Sequence, residues 1–97
     1  MKLDKNRLEE ITELAQLQFS AAEVATIMQL DRSEFEEAME HGGAVLEAYE
    51  RGRLMAVAEV RKAVLTQAKQ GSSPAQKQMI EIMDKAARDQ RRIMSKG

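Results

Sequence analysis

The sequence predicts an all-α protein: an N-terminal three-helix head containing a helix-turn-helix, followed by a long antiparallel helical hairpin. Three observations carry that expectation. Aromatic residues are confined to Phe19, Phe35 and Tyr49 and proline to Pro74, while Ala, Leu, Met, Glu, Lys, Arg and Gln dominate, a helix-forming composition. Two capping signals, Ser20 with Glu23 and Asp31 with Glu34, lie close together and restart a helix twice within a short stretch. At Gly42-Gly43 the pattern changes, and two long periodic segments follow, joined only by Gly71-Ser72-Ser73-Pro74. The predicted division is a head over residues 1–42 and a hairpin region over 43–97.

The first helix is predicted from Lys5 to Gln18, capped by Asp4, with Leu8, Ile11, Leu14 and Ala15 on one face. Phe19 is a staple ahead of the Ser20 cap, and the second helix runs from Ala21 to Met28 with Val24, Ala25 and Met28 inward. Gln29-Leu30-Asp31 is a turn too short for anything but a steep crossing. The third helix is expected from Arg32 to Glu40. Ala25 permits close approach, Leu30 plugs the turn and Phe35 anchors the third helix on the second. Trihelical packing without DNA binding fits the same pattern.

The fourth helix is predicted from Ala44 to Gln70. Its apolar residues form more than one stripe: Leu46, Tyr49, Ala56, Val60 and Val64 make one, and Met55, Ala58 and Leu65 lie off it. So wide an apolar surface calls for partners on two sides. Gly52 fits either a kink or a close helix crossing. Gly71 stops the helix, Ser73 caps the next and Pro74 takes its first position. The fifth helix, Pro74 to Ser95, is expected to bury Met79, Ile82, Met83, Ala86, Ile93 and Met94.

Composition bounds the chemistry. There is no cysteine and one histidine, His41, which leaves no nucleophile–base pair, no thiolate zinc shell and no disulfide framework. No phosphate-binding loop, cofactor motif or small-molecule site is apparent, so a non-enzyme is expected. No apolar run has membrane-spanning length, and a reducing cytoplasm is the expected setting. Few aromatics and seven methionines suit a thin core with adaptable contact surfaces.

Charge is unevenly distributed. Residues 1–40 carry four basic and ten acidic side chains, residues 41–97 eleven and six. The third helix presents Glu34, Glu36, Glu37 and Glu40 with Arg32 its only basic residue, and carboxylates repel the phosphates that supply most DNA-binding energy. Candidate compensating cations are Lys2, Lys5 and Arg7, then Arg51 and Arg53, and the cluster Arg88, Arg91 and Arg92; each also reads as an ordinary solvated helix charge.

The run Ala48-Tyr49-Glu50-Arg51-Gly52-Arg53 after the helix-turn-helix is followed by Ala63-Val64-Leu65, Ala68-Lys69-Gln70-Gly71 and Ser73-Pro74-Ala75. This order resembles the small subunit of tailed-phage terminases, over about residues 10–88. The resemblance implies a non-catalytic protein that recognises double-stranded viral DNA for packaging and assembles into a homo-oligomeric ring. It further implies recruitment of a large subunit bearing ATPase and nuclease, in the cytoplasm of an infected or lysogenic bacterium. Arg32 and Ser33 would open the recognition helix, with Lys2, Lys5 and Arg7 as added DNA contacts. Leu46, Tyr49, Met55, Val60, Val64, Met79, Met83 and Ala86 would form the hairpin and oligomer core, so a charge at Tyr49 or Val60 is expected to break the assembly. Two further readings stand beside it: a dimeric helix-turn-helix transcription regulator, and an acidic protein-binding adaptor that does not touch DNA.

Overall fold

The computed structural model describes residues 1–95. Their architecture is all-α: α1 (Lys5–Gln16), α2 (Ala21–Ile27), α3 (Arg32–His41), α4 (Ala44–Lys69) and α5 (Ser73–Ser95). The chain divides into two compact units, Met1–Ala58 and Glu59–Gly97. The division falls inside α4, so the first unit takes in the N-terminal half of that helix as well as the head predicted over residues 1–42.

Local chemistry sets the helix ends in the first unit. Asp4 accepts from the backbone N–H of Arg7 at 2.9 Å, opening α1. At α2 the capping box is reciprocal: the Glu23 N–H donates to Ser20 Oγ at 3.2 Å and the Ser20 N–H donates to Glu23 Oε1 at 2.9 Å. Asp31 accepts from the Glu34 N–H at 2.9 Å and opens α3. α1 and α2 are closed by left-handed residues that are not glycine, Gln18 (φ 68°) and Gln29 (φ 57°), and α3 by Gly42 (φ 78°). After α2, the Leu30 N–H donates to Ala25 O at 2.9 Å and the Gln29 N–H to Thr26 O at 3.2 Å, the two bonds of a Schellman stop. The left-handed turn at Gln18 is also why α1 ends two residues short of its expected limit.

Ile11, Val24, Ala25, Met28, Phe35 and Val45 form the core of this unit, with Leu8, Leu14, Phe19, Leu30, Ala38, Ala48 and Tyr49 half-buried around it. Phe35, Ile11 and Val24 are its largest fully buried side chains. The N-terminal part of α4 is bound to α1 through backbone: Thr12 Oγ1 donates to Ala48 O at 3.1 Å, and Gly52 is buried on α1. A Cβ at Gly52 would run into the Thr12 carbonyl and lie 2.8 Å from Ala15 Cβ. Of the two roles open to this glycine, the structure assigns the close crossing.

In the second unit, the Ser72 N–H donates to Gln67 O and the Gly71 N–H to Ala68 O, both at 3.1 Å, around Gly71 at φ 97°. Burial concentrates near this turn, at Val64 and Ala68 on α4 and at Ala75, Met79 and Ile82 on α5. Met83, Ile93 and Met94, expected to be buried, are 62%, 66% and 71% exposed, and Ala86 is exposed as well. One α5 face has cover near the turn; the rest of its apolar arc has none in the single chain.

Two substitutions at these positions should reverse the usual helix preferences. Gly-to-Ala inside a helix normally stabilises by about 1 kcal/mol, yet Gly52→Ala should destabilise the first unit by roughly 1–3 kcal/mol through overpacking on α1. Gln29→Gly should instead raise stability by roughly 0.5–1 kcal/mol by relieving a left-handed residue. Urea denaturation of the two variants and the parent reads both signs.

The capping box also predicts a pH effect. The backbone N–H and then the hydroxyl of Ser20 hold the Glu23 carboxyl below its ordinary value. A depressed folded-state value means a contribution present above the unfolded glutamate value, about 4.3, and lost as pH falls through the lowered one. Glu23→Gln should therefore flatten the acid-side decline of the melting temperature. An unchanged decline means that the box adds no pH-linked stability.

Candidate interaction surfaces

Phe35 anchors α3 in the core, so helical geometry turns Ser33, Glu37 and Glu40 to the opposite side, and all three are exposed. Ser33 thus lies among carboxylates. Arg32 is exposed, with its Nε 3.0 Å from Glu36 Oε1; its charge is partly offset by a neighbour on its own helix. Lys2 and Lys5 are exposed at the start of the chain and of α1.

Arg7 has a different position from the one anticipated. Its Nη2 donates to Met28 O at 2.9 Å and its Nη1 to Glu10 Oε1 at 3.3 Å. The guanidinium satisfies a carbonyl left open at the end of α2 and ties α1 to the α2–α3 turn. A partly buried, structurally engaged arginine is a poor phosphate ligand. Sequence spacing gave no signal for this, because the bond joins residues far apart in the chain.

Beside α3 lies a cleft of about 730 Å³, with Leu3, Leu8, Ala38 and Val45 among its lining and the carboxylates of Glu34 and Glu37 also lining it. Lys2 lines the cleft together with Glu34 and Glu37, so both signs of charge meet there. Among the described residues there is no group of His, Cys, Asp and Glu arranged to hold a metal ion, and no helix long and apolar enough to cross a membrane.

The residues expected to form an oligomer core fall into two sets. Tyr49 and Leu46 are half-buried in the first unit, and the Tyr49 hydroxyl donates to Phe19 O at 2.8 Å. That bond fixes α4 to the segment between α1 and α2. Met55 (39% exposed) and Val60 (63%) are on the α4 surface, and Val64 and Met79 are half-buried near the second unit's turn. Met83 and Ala86 are exposed on α5. Large apolar side chains absent from the expected set are also exposed: Leu54 (64%), Leu65 (40%) and Ile80 (58%).

No protein-family model matches the chain, and neither a curated protein nor a solved structure matches it.

This arrangement separates two roles that a single substitution would confuse. Tyr49→Phe should cost the first unit about 1 kcal/mol and leave the native mass unchanged. Val60→Glu should leave the unfolding of the first unit unchanged and weaken self-association. Denaturant unfolding and sedimentation on both variants check the separation; a mass change in Tyr49→Phe would place that tyrosine at an interface.

Proposed function

We propose that this chain is a non-catalytic DNA-recognition and assembly protein of the terminase-small-subunit type. In this reading Ser20 to Met39 is a helix-turn-helix, α4 and α5 form an oligomerising hairpin, and copies assemble into a ring. The ring engages double-stranded viral DNA and recruits a large subunit that holds the ATPase and nuclease.

The observation that supports the reading is the run of exposed large apolar residues on α4 and α5: Val60, Leu65, Ile80, Met83, Ile93 and Met94. So many exposed large apolar side chains on two helices favour an interaction surface. Assembly also offers a physical answer to the acidic third helix. Weak contacts repeated around a closed ring add by effective concentration, and the cations of α5 contribute alongside Lys2 and Lys5.

A specific observation favours a second reading, the acidic adaptor. Ser33, Glu37 and Glu40 occupy the outward side of α3, Arg32 is paired with Glu36 and Arg7 is spent on Met28 O. This side of α3 fits a basic protein segment better than a phosphate backbone.

Native mass by light scattering at two protein concentrations, followed by duplex titration at two salt concentrations, discriminates these readings. The proposal expects a closed assembly above four subunits whose duplex affinity falls steeply with salt. An assembly that binds no duplex at low salt supports the adaptor instead. A clean dimer that binds a pseudo-palindromic duplex supports a transcription regulator.

A further inference from the structure

The apolar arc of α5 contains two heptad-like seams. Ala75, Met79, Ile82, Ala86 and Ile93 follow one, and Gln76, Ile80, Met83, Ala87, Gln90 and Met94 follow the other at alternating spacings of four and three. Ala75, Met79 and Ile82 of the first seam have cover near the turn. Gln76, which opens the second seam, donates through its Nε2 to Ala68 O at 3.0 Å; beyond it the seam is uncovered, with Ile80 58% exposed, Met83 62% and Met94 71%, and Ala87 exposed too.

We propose that this second seam is a two-fold contact on which α5 of a second copy packs antiparallel, Ile80 of each copy opposite Met83 of the other. Self-complementarity identifies the occupant. In this register Ala87 meets Gln76 of the second copy, and the flanking Lys77 lies beside Asp84 of that copy, twice by symmetry. Both are exposed on α5 and available for pairing. Sliding one helix by a heptad towards the C-terminus sets Asp84 against Asp84 and Lys77 against Arg91, like charges in both places. A slide by two heptads restores opposite charges but shortens the overlap and removes Ile80 from the centre. Charge thus rejects one register, and apolar overlap selects between the other two.

The contact is independent of whether DNA is bound. A two-fold contact closes on itself, so any assembly larger than a dimer needs a second surface; Val60 and Leu65 are exposed on different sides of α4.

Charge reversal in the full chain tests the pairing. Lys77→Glu and Asp84→Lys should each weaken self-association roughly tenfold, read by sedimentation across a concentration series. The double variant should return to within about twofold of the parent. Circular dichroism on every variant separates lost pairing from lost helix.

The chain's lack of cysteine permits a second readout. A mixture of Gln76→Cys and Ala87→Cys chains should form a disulfide between the two variants on mild oxidation. Neither variant alone should link to itself, because like positions are about 16 Å apart along the axis at ~1.5 Å per residue. A parent that stays monomeric overturns the proposal. So do unchanged affinity in the single variants, a double variant no better than either, or self-linking of Ala87→Cys. Failure of DNA binding would alter none of these readouts.

Discussion

Where α4 crosses α1 there is no room for a side chain. Gly52 lies directly on Thr12 and Ala15, and the Thr12 hydroxyl bonds to the Ala48 carbonyl one turn earlier on α4. The contact makes the first half of α4 part of the head's core. It brings Val45 into the buried cluster and Ala48 and Tyr49 against it, and it lets the Tyr49 hydroxyl reach Phe19 O. Without it, α1, α2 and α3 would have to close a core around very few large side chains, close to the size at which small domains become marginal.

The consequence is a chain with two different energetic characters. The first unit has a core, reciprocal caps and hydrogen-bonded helix ends. In the second, burial is concentrated at the turn, and exposed apolar residues continue along α5. Charge divides in the same place: residues 1–58 carry six basic and twelve acidic side chains, residues 59–97 nine and four. The first unit is acidic and internally satisfied, whereas the second is basic and leaves apolar side chains of α5 exposed. The functional question is which partner covers the seams and which ligand meets α3.

Much of the fold was legible in the sequence because helix ends are local events. Asp4, Ser20 with Glu23, Asp31 and the Gly71-Ser72-Ser73-Pro74 turn each act within a few residues, and the observed limits fall within two residues of the expected ones. Gln18 and Gln29 were harder, since a left-handed glutamine leaves no compositional mark. The long-range contacts were not legible. Arg7 reads as a surface charge until Met28 O is placed beside it. Tyr49 gives no sign in the sequence of its bond to Phe19 O, and Gly52 is ambiguous until α1 lies across it. The interaction surface was half legible: periodicity located the apolar arc of α5, but only the placement of α4 decides which part of it stays in water.

The first unit has its core within one chain, whereas in the proposed contact α5 is completed by another copy. Hydrogen exchange measured as a function of protein concentration addresses this contrast directly. Amides around Ile11, Val24 and Phe35 should keep the same protection at every concentration, and those from Ile80 to Ala87 should gain protection as concentration rises. Strong protection of α5 at the lowest concentration, or a parallel rise in both units, would contradict the account.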